Sequence, residues 1–163
     1  MDVRALQQAI GETWFGEGMS ARSLEQLAGV AREYHVPGRT RLLREGRETT
    51  ELAVVRRGRV ALTEHVPSQG SLTLMTVEAG DVFGWSAIVP PYEAIASVVS
   101  LEPVDVIAFD GPRLRAAMAA DQELTAAVSV KVLQSLGRRL RATRHQLLDL
   151  HGQSWSRPTP ESC

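Results

Sequence analysis

The chain has 163 residues, 44% of them hydrophobic, and its 18 Lys and Arg against 19 Asp and Glu leave a net charge of −1. That length is one domain with an ordinary core, and the near-neutral balance argues against non-specific nucleic-acid binding. No apolar run approaches the ~20 residues of a spanning helix, and the start from Met1 to Gln8 lacks a secretory apolar stretch, so no membrane partner is expected. Cys163, the single cysteine, allows no intramolecular disulfide, which fits a cytoplasmic location.

The first zone, 1–33, reads as helical. Val3, Leu6 and Ile10, then Leu24, Leu27, Ala28 and Ala31, recur at helical spacing, and Ser20 is a good N-cap before Ala21. From 34 to 110 the pattern changes to short strands separated by turns. Pro37-Gly38 and Glu45-Gly46 are turns, Leu52 to Arg56 is an apolar strand, Gly58 breaks it before Val60 to Thr63, and Leu72 to Val77 alternates. Val98-Val99 and Val104 to Phe109 complete the set. Many short strands at regular spacing predict a jelly roll or barrel. From 111 to 152 the chain is helical again, with Asp110 and Pro112 suited to a helix start and a long helix from about Gln122 that stops at Gly152. The Pro-containing tail, 153–163, is expected to be disordered. The fold class expected is α+β: a β jelly roll (double-stranded β-helix) flanked by N-terminal helices and a long C-terminal helix.

The most informative stretch is 81–98, Asp-Val-Phe-Gly-Trp-Ser-Ala-Ile-Val-Pro-Pro-Tyr-Glu-Ala-Ile-Ala-Ser-Val. Gly84 permits a positive φ or a close backbone approach, and the amides of Trp85, Ser86 and Ala87 then open a short helix, a setting that suits an anion. The segment resembles, without a gap, the phosphate-binding cassette of cyclic-nucleotide-binding domains, in which Phe-Gly-Glu is followed by a short helix and Arg-Ser/Thr-Ala. Phe83-Gly84 and Ile95-Ala96 hold the frame. Trp85 stands where that family has its ribose-binding Glu, and Ala94 where it has its phosphate-binding Arg. The resemblance extends over about Trp14 to His151: Leu43 to Gly46 looks like the turn after the first strand, Leu52 to Val60 like the central hairpin with Gly58 at its turn, and Gly80 to Gly84 like the approach to the cassette. Within the superfamily the chain most resembles regulators of the catabolite-activator type.

In the long helix Leu133, Leu136, Leu140, Thr143, Leu147 and Leu150 follow one another at 3, 4, 3, 4 and 3 residues. This is a heptad seam with one polar position, and it predicts a homodimer. A second apolar set, Val128, Val132 and Leu148, is available to the barrel, while Arg138, Arg139, Arg141 and Arg144 read as a solvated face suited to an acidic protein partner. In the family this helix forms the dimer axis and closes the ligand pocket. Thr143 matches the position that hydrogen-bonds the base; it reads equally well as a polar register residue in the seam. Too few residues follow for a helix-turn-helix, so no direct DNA binding is expected of the chain.

Catalysis is not expected. A cupin-like metal site needs converging His and carboxylates, yet His35, His65, His145 and His151 form no His-x-His pair, so no metal is assigned. Ser86 has no nucleophile-elbow context and no Cys-His arrangement is available. The reading is therefore a dimeric regulatory sensor module. The candidate ligand segment is Phe83, Gly84, Trp85, Ser86, Ala87, Ala94, Ile95 and Ala96, joined by Thr143. No cofactor is assigned, and a nucleotide-like or other small anionic ligand is the expectation. Charge-assisted bonds contribute roughly 1.5–3 kcal/mol each, so losing the Glu and Arg predicts cyclic AMP or cyclic GMP binding weaker by roughly two to four powers of ten. Glu93 adds negative charge beside Ala94. The alternative is a scaffold or protein-interaction module whose pocket Trp85 plugs. A third option keeps a cyclic nucleotide and draws its Arg from Arg56, Arg59 or Arg144. An open cavity beside Trp85 would favour a ligand, a filled one a scaffold.

Overall fold

The computed structural model describes residues 2–155. Helix α1 (Val3–Gly11) starts at Asp2, whose carboxylate accepts the Ala5 amide, and α2 (Ala21–Gly29) starts at Ser20, whose hydroxyl accepts the Ser23 amide. Each is a side-chain oxygen satisfying an amide that a helix start leaves open. Strand β1 (Ala31–Val36) begins three residues earlier than the spacing indicated. The helix-forming residues Ala31 and Glu33 lie in it because the whole strand pairs with β8 (Val104–Asp110) from Ala31–Phe109 to Val36–Val104.

Two four-stranded antiparallel sheets build the jelly roll. The first is ordered β1, β8, β3 (Glu51–Arg57), β6 (Val82–Phe83); the second β2 (Arg41–Leu43), β7 (Ser97–Ser100), β4 (Val60–Val66), β5 (Gly70–Val77). Strands β3 and β4 lie in different sheets, so Leu52 to Val60 is a crossing between layers rather than a hairpin. Gly58 makes the crossing at φ 84°, where a Cβ would stand 2.6 Å from both the Pro103 carbonyl oxygen and a Val104 methyl.

The apolar runs of β3 and β8 are buried on both faces, and strand alternation divides them. Ala53, Val55, Val104, Val106 and Ala108 face the interior between the sheets with Phe83 and Val98. Leu52, Val54, Ile107 and Phe109 face outward to a second core with Ile10, Phe15, Leu27 and Leu114 of the helical layer. Helix α3 (Gly111–Ala120) is capped by Asp110 and carries Pro112 in its first turn. Helix α4 (Gln122–Trp155) is capped by Asp121, which accepts the Glu123 and Leu124 amides. It passes through Gly152 instead of stopping there, since a helical glycine costs only about 1 kcal/mol. The tail beyond Trp155 lies outside the described residues.

Leu124, Val128 and Val132 of α4 are buried against the helical core, so the first half of the helix belongs to the domain. From Arg141 to Leu150 every residue is exposed. Leu148 belongs to this exposed half, at 58%, and does not serve the barrel.

Candidate functional site

Between the second sheet, segment 81–98 and α4 lies an open cavity of about 640 Å³. All four strands of that sheet contribute: Leu43 of β2, Val98 of β7, Leu62 and Glu64 of β4, Leu74 and Met75 of β5. Leu62 and Glu64 continue the inward face of β4 that begins at buried Val60, so the cavity is the sandwich interior opening outward.

The end wall is the cassette-like segment. Gly84 is left-handed, at φ 75°, and a Cβ there would lie 2.4 Å from the Glu51 carbonyl oxygen, so no other residue fits. A single 3-10 turn, Trp85–Ala87, follows, in which the Ala87 amide donates to the Gly84 carbonyl at 3.0 Å. That amide is spent within the turn and does not face an anion. The loop beyond carries a cis bond between Pro90 and Pro91 and a positive φ at Tyr92. Arg115 of α3 holds it, its guanidinium 4.2 Å from the centre of the Tyr92 ring and 2.5 Å from the Ala87 carbonyl. Return pairing fixes Ala94: its amide donates to Arg47 O at 2.9 Å and its carbonyl accepts the Gly46 amide at 2.8 Å.

Of the residues read from sequence, Gly84, Trp85, Ser86, Ala94, Ile95, Ala96 and Thr143 line this cavity together. Phe83 and Ala87 do not; each is buried, in the inter-sheet core and the helical core respectively. The leucine seam divides. Leu133, Leu136 and Leu140 border the cavity, with Leu136 half-buried against the helical core, whereas Leu147 and Leu150 stand clear of it.

Arg139 was expected on a solvated face and is not there. Its side chain is 12% exposed, lines the cavity, donates to the Val82 carbonyl and stands 3.8 Å from Asp81. Burial lowers its pKa below the usual guanidinium value, and the Asp81 carboxylate opposes that shift. Asp81 also accepts from the Ser135 hydroxyl at 2.7 Å and from Arg138 at 3.1 Å, and Arg138 in turn lies over the Trp14 ring at 3.9 Å. Arg139 follows Arg138 by one residue, a rotation of 100°, and the two guanidiniums meet the Asp81 carboxylate at different oxygens, Arg138 at Oδ1 and Arg139 at Oδ2. The alternative phosphate partners are elsewhere: Arg56 pairs with Glu33, Arg59 with Glu102, and neither they nor Arg144 reaches the cavity.

Thr49 also went unnoticed in the sequence. It borders the cavity, is 1% exposed, and its hydroxyl has no hydrogen-bond partner among the described residues. Among the described residues no group of three His, Cys, Asp or Glu is placed to hold a metal ion, and no helix is long and apolar enough to cross a membrane.

The family model described as "Cyclic nucleotide-binding domain" matches residues 33–121, more than half of the chain. The chain belongs to the cyclic nucleotide-binding domain family. Solved structures of this family share the fold. A cyclic nucleotide-binding domain from Methylobacillus flagellatus aligns at a TM-score of 0.75 with 22% identity, over 90% of this chain and 83% of that one. The catabolite activator protein of Thermus thermophilus aligns at 0.67 with 20% identity, over 85% of this chain and 63% of that one. The sensor domain of the transcriptional regulator DNR from Pseudomonas aeruginosa aligns at 0.67 with 16% identity, over 85% and 93%. No curated protein matches the chain in sequence.

Proposed function

We propose that the chain is a regulatory sensor module that takes a small molecule in the cavity beside Trp85 and passes its occupancy to α4. The carrying observation is the cavity itself: about 640 Å³ of open space bounded on one side by the cassette-like segment and on another by the long helix. That size suits a drug-sized ligand. Trp85 forms part of the wall instead of filling the space, which supports a ligand over a scaffold role. Cyclic nucleotide binding is weak in this reading, because Trp85 and Ala94 supply neither a ribose acceptor nor a phosphate cation, and the cavity's one arginine, Arg139, is already held by Asp81 and Val82.

The module works as a homodimer through the exposed leucine face of α4, where Leu133, Leu140, Leu147 and Leu150 are 53–72% exposed. Leucines at that spacing and exposure are an unsatisfied coiled-coil face. Likeness to the sensor domain of a transcriptional regulator supports a role in regulation exercised through a partner.

The test is a thermal-shift screen of nucleotides, acidic metabolites and apolar metabolites against the wild type and Gly137→Phe. Gly137 lines the cavity, and a Cβ there meets nothing within 4 Å, so a side chain can be added at this position of the wall. At least one compound is expected to raise the wild-type Tm with dose and to leave the variant unmoved. An empty screen, or equal shifts in both proteins, would replace the sensor with the scaffold.

A further inference from the structure

Resting on the sensor reading, we infer that the ligand is an uncharged, mainly apolar molecule the size of a small ring system, not an anion. This departs from the small anionic ligand that the cassette resemblance leads one to expect.

Three observations about the wall carry the inference. First, its charges leave nothing for an anion. Arg139 is the one cation among the described residues that line the cavity, and its guanidinium is already bonded to Val82 O and set against Asp81. Drawing it toward a bound phosphate would cost Arg139 its bond to Val82 O and its place beside Asp81, while Asp81 would keep Ser135 and Arg138. Glu64 borders the same wall as an exposed residue and makes no ion pair among the described residues, so the second charge at the cavity is a solvated negative one.

Second, the amide end of the segment does not make up the deficit. One turn of 3-10 helix has almost no macrodipole to offer, and the Ala87, Ile88 and Val89 amides all donate to carbonyls of the turn itself, at 3.0, 3.1 and 3.4 Å. Those three amides are not available to an anion, which would have to give up its water to enter.

Third, the remaining wall is apolar on every side. Leu43, Leu62, Leu74, Val98, Leu133 and Leu140 come from four strands and a helix, and the Trp85 indole closes the end. The polar groups left are the Ser86, Thr49 and Thr143 hydroxyls, all neutral. Apolar walls with a few neutral hydrogen-bonding groups select an uncharged ligand, since apolar surface leaves water on both sides and no charge has to be desolvated.

A matched pair of fluorescent probes tests this. N-phenyl-1-naphthylamine and 8-anilinonaphthalene-1-sulfonate share one ring system and differ by a sulfonate. Titrated into the full chain, the neutral probe is expected to saturate at one site per chain and at least tenfold more tightly than the sulfonate. Gly137→Phe and Ala96→Trp, which fill the cavity from opposite walls, are each expected to weaken the neutral probe at least tenfold, with circular dichroism and light scattering unchanged. Equal or tighter binding of the sulfonate, lost in both filled variants, would overturn the uncharged ligand and leave the sensor cavity standing. A neutral probe that never saturates, or binds both filled variants as well as wild type, would overturn the two together.

Discussion

Arg139 reaches Asp81 from the long helix, its Nη2 standing 3.8 Å from Oδ2, while the same side chain forms part of the cavity wall. Asp81 begins the approach to the cassette and accepts from Ser135, Arg138 and its neighbour Val82. One carboxylate thus ties α4 to the segment that ends in Trp85. Asp81→Ala should leave the partly buried Arg139 charge without compensation. Breaking such a pair from one side costs 3–5 kcal/mol when fully buried; with both partners partly exposed, about 2–3 kcal/mol is expected. Arg139→Met in addition should recover part of the loss. Urea denaturation of the two single variants and the double variant measures the coupling, and strictly additive losses would show that the two side chains act independently.

The leucine face of α4 gives a second prediction. Leu140 and Leu147 are 72% and 53% exposed, whereas Leu136 packs partly on the domain's own core. Leu140→Glu with Leu147→Glu should therefore yield a folded monomer in light scattering, with an unchanged far-ultraviolet spectrum apart from fraying of the outer helix. A dimer that persists would remove this face from the assembly. Leu136→Glu is the wrong test, because it would also unsettle the monomer.

Thr49 carries a third. A buried hydroxyl without a partner costs about 1–3 kcal/mol relative to one that is bonded or absent. Thr49→Val keeps the shape and removes the polar atom. The ligand-free protein should gain about 1 kcal/mol, or roughly 2–4 °C in Tm for a domain of this size. A lower Tm would show that the hydroxyl has a bonded partner, such as an ordered water.

Asp121 supplies a pH dependence. Its carboxyl titrates below the usual aspartate range, chiefly because it accepts the Leu124 amide, with help from Gln26 and Arg22 and against the effect of burial. A folded pKa below the unfolded value of about 3.9 stabilises the protein above that pH, and the contribution disappears as pH falls through the folded value. Asp121→Asn still caps α4 but carries no charge. The variant should melt below wild type at pH 7 and together with it near pH 2. A Tm difference that stays constant from pH 7 to pH 2 would mean the charge contributes nothing.

The jelly roll was legible because strand alternation, turn glycines and helix caps agree. Ser20, Asp110 and Gly84 all sit where their chemistry indicates, and the apolar runs at Leu52 and Val104 are the two strands buried on both faces. The layer crossing at Gly58 was not legible, since a tight glycine turn reads the same whether the strands it joins pair or part. Arg139 was misread because its place in a run of arginines signals solvent, and only the strand facing it, with Val82 and Asp81, turns it inward. Thr49 gave no signal at all. An unpaired hydroxyl is defined by what fails to surround it, and the sequence holds no record of that.

Cyclic AMP is expected to bind weakly, and the reason can be tested by restoring what is missing. Trp85→Glu returns a ribose acceptor and Ala94→Arg a phosphate cation, both on backbone already held in the cassette frame by Gly84 and by the Ala94 pairing with Gly46 and Arg47. Trp85 also packs against the helical core, so the double variant should be less stable than wild type. Two charge-assisted bonds at roughly 1.5–3 kcal/mol each should nonetheless raise affinity by about a hundredfold or more. Calorimetry on both proteins reads the difference. Micromolar binding by the wild type would contradict the assignment of Trp85 and Ala94 as the cause of weak binding. Equally weak binding by both, with the variant folded, would place the obstacle in the apolar wall and the Glu64 charge instead of in the two lost side chains.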